Sequence, residues 1–254
     1  MVDIFKKELN INSDASVPKI NKEEFIKVVK SRRSVRVYND EVVPEDVILS
    51  CLDLALLAPN SSNLQAWKFY WVKSKEKKKK LVEYCLNQPA ARTAQELIVC
   101  VARPMAWREN SKKMLEILES KDDSPEAVVN YYKKIVPLAY DQGFLGIKGF
   151  LKKIVIFFLS ISKPIPREPV SFSDMKIWAQ KTTALACQNL MLSLRAFGYD
   201  SCPMEGIDSA RIKRLLNLSN KDQICMVISV GKRASNGVYG KRMRFDKSNF
   251  VKIV

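Results

Sequence analysis

Ser31-Arg32-Arg33-Ser34-Val35-Arg36 gathers three guanidiniums and two hydroxyls within six residues. It follows an apolar-periodic run, Phe25, Ile26, Val28 and Val29, which is preceded by Asn21 and Glu24 at capping-box spacing. The pattern predicts a helix from Asn21 to about Lys30 that delivers the arginines at its end. A guanidinium is planar, matches phosphate oxygens in pairs and never loses its charge. The cluster therefore reads as a pocket for a compact, multiply charged anion. The competing reading is a solvated basic face at a helix end.

Downstream, Val42-Val43-Pro44-Glu45-Asp46 opens a second helix, with proline near its first position and a wide apolar stripe from Val47 to Leu56. Ala58-Pro59 ends it. A polar loop, Asn60-Ser61-Ser62-Asn63-Leu64-Gln65, leads into an aromatic-rich strand, 67–72. A helix is expected over Lys77–Leu86, a buried strand over Glu96–Ala102, and helix over 105–140 with a break near Asp122–Pro125. The most regular helical pattern begins at Ser173-Asp174 and stops at Phe197-Gly198, where glycine is the expected terminator. Ser201–Gly206 reads as a turn, 208–218 as a short helix and Ile224–Val230 as the last strong strand. Few strands separated by long helical stretches indicate an α+β fold with one mixed sheet.

Residues 143–169 stand apart. Gly143, Gly146 and Gly149 space the start, Ile154 to Ile161 is almost wholly apolar, and Pro164, Pro166 and Pro169 follow. The run is shorter than the roughly 20 residues needed to span a bilayer. Three readings stay open: a core helix, a lid over a pocket, or a patch resting on a membrane or a second subunit.

The chain has 254 residues, 47% of them hydrophobic, so it can bury a substantial core. No composition break marks a second domain. The expected organisation is an arm over 1–20 and one domain over 21–254, with an apolar insertion at 143–169 and a tail at 242–254. Met1–Lys7 lacks an apolar h-region, so no signal peptide is expected. The six cysteines form no C-x-x-C pair, which fits reduced thiols in the cytoplasm and gives no metal site. The absence of histidine excludes Ser-His-Asp triads, Cys-His pairs and HExxH zinc chemistry.

A net charge of +16 suits nucleic acid, an anionic membrane surface or anionic small molecules. The lysines are scattered apart from Lys73–Lys80, and aromatics do not alternate with them, which argues against a nucleic-acid stacking platform. The alternative function is a basic membrane-peripheral or nucleic-acid-binding protein without catalysis, using the 143–169 patch and the lysine surface.

Five separated pieces together resemble the flavin-dependent nitroreductase family: Arg32–Arg36, Ala58–Trp67, the helix from Trp178 through Gln188-Asn189-Leu190 to Gly198-Tyr199, Pro203-Met204-Glu205-Gly206, and Arg242-Met243-Arg244-Phe245. Their order and spacing carry the resemblance, which leaves out the arm and about 125–170. It implies a central mixed, mainly antiparallel sheet flanked by helices, in an intertwined homodimer with FMN at the interface. Arg32, Arg33, Ser34 and Arg36 would hold the phosphate, ribitol and pyrimidine edge, and Arg242 and Arg244 would close on the phosphate. Pro59, Asn60, Ser61 and Asn63 would approach from the partner subunit, with Gln65 nearby. Pro203, Met204, Glu205 and Gly206 would lie along the ring, with Asn87 a looser match at its edge. The family commonly has Ser at the position of Asn60 and Pro at that of Ala66; both substitutes suit a loop beside a flavin. The implied activity is ping-pong hydride transfer from NADH or NADPH through FMN to a nitroaromatic or quinone-type acceptor. Flavin carries such chemistry itself, so no catalytic side chain is expected, and a histidine-free enzyme is understandable.

Overall fold

The structure, a computed structural model, describes residues 17–254; residues 1–16 of the expected arm lie outside the described residues. Asn21 caps α1 (Lys22–Ser31), its Oδ1 accepting from the Glu23 amide at 3.0 Å, while Glu23 and Glu24 complement the helix dipole. Pro44 precedes α2 (Glu45–Leu56), whose Ile48, Cys51 and Ala55 recur at helical spacing and are buried. A single 3-10 turn, Ser61–Asn63, leads to β1 (Trp67–Trp71). Ser74 caps α3 (Lys75–Tyr84), and a short α4 (Pro89–Arg92) precedes β2 (Glu96–Ala102). Then come α5 (Trp107–Glu119), α6 (Glu126–Asn130), a π turn at Tyr131–Ile135, α7 (Val136–Tyr140) and α8 (Ile147–Ser162). The long α9 (Phe172–Ala196), β3 (Asp200–Met204), α10 (Ser209–Leu215) and β4 (Gln223–Gly231) complete the framework.

The strands run in the order β1-β2-β4-β3, and every ladder is antiparallel. Successive side chains of a strand point to opposite faces. Leu97, Val99 and Val101 of β2 therefore pack with Leu81 of α3 and Ile212 of α10 on one face. Ile98 and Cys100 pack with Ile48 and Cys51 of α2 and with Leu190 and Leu194 of α9 on the other. The sheet is sandwiched between two helical layers, which is why β2 reads as an unbroken apolar run. Each large aliphatic side chain buried this way contributes about 1.5–3 kcal/mol. Ser171 and Asp174 fix the start of α9 by a reciprocal capping box, with bonds of 3.1 and 2.8 Å. Gly198, at φ 85°, ends it in the left-handed region.

Two expectations change, and one of the three readings of the apolar run closes. Ser201–Met204 is strand rather than turn, because its residues pair with β4 from Asp200↔Gly231 to Met204↔Val227. The sheet is antiparallel throughout; the parallel pairing among the described residues is the isolated Ser34–Ser201 bridge beside the arginine cluster. The apolar run of α8 is not a core helix: Gly149 is its one buried residue, and Phe157, Phe158 and Ile161 are 62%, 64% and 76% exposed. Smaller differences lie at helix ends, with α3 two residues earlier than expected and α10 shorter.

Candidate flavin site

α1 closes with the Arg32 amide donating to the Val28 carbonyl at 3.1 Å, and the chain then extends. Val35 N donates to Ser201 O at 3.1 Å and Arg36 N to Gly237 O at 2.7 Å, so the extended stretch is held on both sides. A Cβ on Gly237 would stand 2.6 Å from Val37 O, and glycine permits that approach. Val35 and Tyr38 enter the core, leaving Arg32, Arg33 and Arg36 half-buried at the surface. The tail then returns over them. Arg33 Nη2 donates to Gly240 O at 2.6 Å, and the Arg242 guanidinium donates to the Arg32 carbonyl.

The result is a cavity of about 410 Å³ lined by Arg32, Arg33, Ser34, Arg36, Arg242 and Arg244, with the intervening tail residues. Lys241 adds another cation, and no carboxylate is among the lining residues. Burial first, then the charges of Arg242 and Arg244, push the Arg32 pKa down. Like charges gathered without a counter-ion repel, and a polyanion relieves that repulsion. The donor set fits the phosphate of FMN.

Behind the cradle, Asp200 is 3% exposed and accepts from Arg195 Nη1 at 2.9 Å and Arg233 Nε at 2.8 Å. Burial alone would raise its pKa, but the hydrogen bonds from Arg233 and Arg195 outweigh it and hold the carboxyl below the usual range. Arg233 Nη2 also reaches Ser31 O at 3.3 Å, tying the end of α1 to the sheet. The Tyr38 hydroxyl donates to Ser229 O at 3.1 Å, a second anchor for the arginine stretch.

β3 runs beside the cradle. Burial dominates the Cys202 thiol and raises its pKa, yet the thiol also feels the charges of Arg36 and Arg32. Pro203 is half-buried, on an edge strand that tolerates its missing amide hydrogen. Met204 is 2% exposed and its side chain belongs to the core, so its main chain is what remains for a ligand. Glu205 and Gly206 are exposed, and Gly206 O accepts from Gln88 Nε2 at 2.8 Å. Asn87, beside Gln88, adopts φ 52°.

The loop after α2 is tightly built. Ser62, Asn63 and Gln65 have φ of 56°, 46° and 44°, a region costly for residues other than glycine. Side chains stabilise it: Asn60 Oδ1 accepts from Gln65 N at 2.7 Å, and Asn110 Nδ2 donates to Leu64 O at 2.8 Å. Three tyrosines brace it from the helices beyond. The hydroxyls of Tyr140 and Tyr131 lie 2.8 Å from Ser61 Oγ and 2.6 Å from Ser62 Oγ, and Tyr132 donates to Ser62 O at 2.8 Å. Pro59, Ser61, Asn63 and Gln65 remain exposed, with Asn60 half-buried.

Within one chain, residues 32–36 and 242–244 share a cavity, and β3 adjoins it. Asn63 and Gln65 line a different one, of about 650 Å³, with Trp67, Phe69 and Arg103. Sequence reasoning missed Gln88, Asn110 and the three tyrosines. The tyrosines had one visible signal, their clustering over 131–140 in a helical stretch.

The family model described as "Nitroreductase family" matches residues 29–232. An NADH dehydrogenase of Thermus thermophilus is 25% identical over 218 residues, 85% of this chain and 90% of that protein. A nitroreductase-like protein of Streptococcus mutans superposes with a TM-score of 0.70 at 23% identity, covering 92% of this chain and all of that one. A nitroreductase-type protein of Exiguobacterium sibiricum, solved in complex with FMN, superposes with a TM-score of 0.63 at 22% identity, covering 91% and 97%. None of the helices among the described residues is long and apolar enough to cross a membrane.

Proposed function

The chain belongs to the nitroreductase family, and from that premise we propose that it is an FMN-dependent oxidoreductase using NADH or NADPH. The observation that carries the cofactor assignment is the carboxylate-free gathering of Arg32, Arg33, Arg36, Lys241, Arg242 and Arg244 around one cavity. These side chains would bind the phosphate, with Ser34 as a short donor, and the main chain of Pro203–Gly206 would border the ring. Bound there, FMN supplies hydride transfer from the nicotinamide to a nitroaromatic or quinone-type acceptor, in ping-pong order. The chain's own part is to bind and orient, which asks for no protein base.

We assign the loop Pro59–Gln65 to the flavin of a partner subunit in a homodimer. The placement of its Asn63 and Gln65 on a cavity separate from the arginines supports this. So do the exposed apolar side chains of the tail, Met243, Phe245 and Phe250, and of α9, Ile177 and Leu185. Six free thiols, five of them buried, support a cytoplasmic setting. The purified protein should be yellow, NADH or NADPH should bleach it without oxygen, and a nitroaromatic or quinone should restore the colour. A colourless protein that takes up no FMN ends this reading.

A further inference from the structure

We propose that α8 is an interfacial helix that rests on an anionic lipid surface. Its apolar side faces away from the protein. At 100° per residue, Ile147, Leu151, Ile154, Phe158 and Ile161 form one stripe, and each is between 41% and 76% exposed. Phe150 and Phe157 widen the stripe on one side and Val155 on the other, all more than half exposed. Phe144 and Leu145, just before the helix, are 81% and 85% exposed. The opposite side is fixed to the body by polar contacts. Gly149 N donates to Gln142 O at 3.1 Å, a Cβ on Gly149 would meet Val170 O at 2.1 Å, and Lys152 Nζ donates to Ala139 O at 2.9 Å. This orientation is the reverse of a helix that packs on its own core.

Charge selects the occupant. Exposed Lys148 and Lys153 flank the stripe on its two sides. Lys148 is paired with Asp141 at 2.7 Å and Lys152 turns to the body, but Lys153, Lys163 and Arg167 have no ion-pair partner among the described residues, and no acidic residue stands between Gln142 and Arg167. A second copy docked on this face would set these cations against their own duplicates. Anionic headgroups neutralise them while acyl chains take the Leu, Ile and Phe side chains, which is how amphipathic helices lie in a membrane interface. The helix is too short to cross, so it lies on the surface.

The test uses the whole protein and vesicles of phosphatidylglycerol with phosphatidylcholine, or phosphatidylcholine alone, in sedimentation at about 0.1 and 0.5 M salt. Wild type should bind the anionic vesicles at least about tenfold better than the neutral ones, and less at high salt. The double variant Leu151→Gln/Phe158→Gln should lose at least about tenfold, since each such side chain is worth that much on transfer. The pair Lys153→Gln/Lys163→Gln, which leaves the apolar stripe intact, should lose the preference for anionic lipid. Wild type ignoring anionic vesicles, or either variant binding as wild type does, overturns the proposal. A fall in solution mass of the Leu151/Phe158 variant without vesicles also overturns it, assigning the face to a second copy. Flavin absorbance, measured in parallel, reads the cofactor assignment separately: a colourless protein that binds vesicles sinks that assignment and leaves this one standing.

Discussion

At the scale of single residues, binding and stability fall to different charges. Arg36 is half-buried in the cradle, its side chain engaged by no carboxylate there, and a charge-assisted bond to phosphate contributes about 1.5–3 kcal/mol. Arg36→Ala is expected to weaken FMN affinity about 10- to 100-fold in a fluorescence titration, with the far-ultraviolet dichroism unchanged. Arg36→Lys should recover part of it, lacking the planar fork. Asp200 is the opposite case, buried behind the cradle between Arg195 and Arg233. Removing one partner of such a network leaves charge uncompensated, so Asp200→Ala should cost about 3 kcal/mol in urea unfolding at neutral pH. Its carboxyl is held below the ordinary value, so the wild-type contribution is full above about pH 3.9 and is lost as pH falls below it. The stability gap between wild type and variant should shrink on acidification; a gap independent of pH would refute the assignment.

At the scale of elements, α9 organises the interior. It supplies Cys187, Leu190 and Leu194 to the core beneath the sheet, and Asn189 Nδ2 reaches Leu54 O of α2 at 3.4 Å. Its start rests on the Ser171–Asp174 box rather than on propensity, for the helix carries Thr182 and Thr183 in its middle. Ser171→Ala should cost about 1 kcal/mol and lower Tm by about 2–4 °C in calorimetry. The loop 59–65 depends on elements too. Its left-handed residues hold because α5, the π turn and α7 supply Asn110, Tyr131, Tyr132 and Tyr140.

At the scale of the whole molecule, the proposed flavin site draws on two chains, the arginines and β3 of one and the Pro59–Gln65 loop of the other. The protein should run at twice its 29.0 kDa in light scattering. Ending the chain after Lys241 removes Arg242 and Arg244 from the cradle and Phe245 and Phe250 from the apolar tail. Such a truncation should lower both flavin content and dimer mass together. A yellow monomer would separate the two and refute the shared site.

The helices α1, α2 and α9 and the strands β1, β2 and β4 were legible from the residues alone, because periodicity and capping are local. The cationic character of the site was legible too, since guanidinium keeps its charge wherever the chain carries it. The strand β3 was not: Pro203 and Gly206 spell a turn, and only the ladder to β4 overrides that local preference. The direction of α8 was hidden because an apolar run reads alike whether it faces a core or the solvent. Tertiary structure also decided that the arginines of both chain ends meet in one cavity while Asn63 and Gln65 face another. Such meetings join positions some two hundred residues apart, and no local pattern encodes which distant groups come within hydrogen-bond reach.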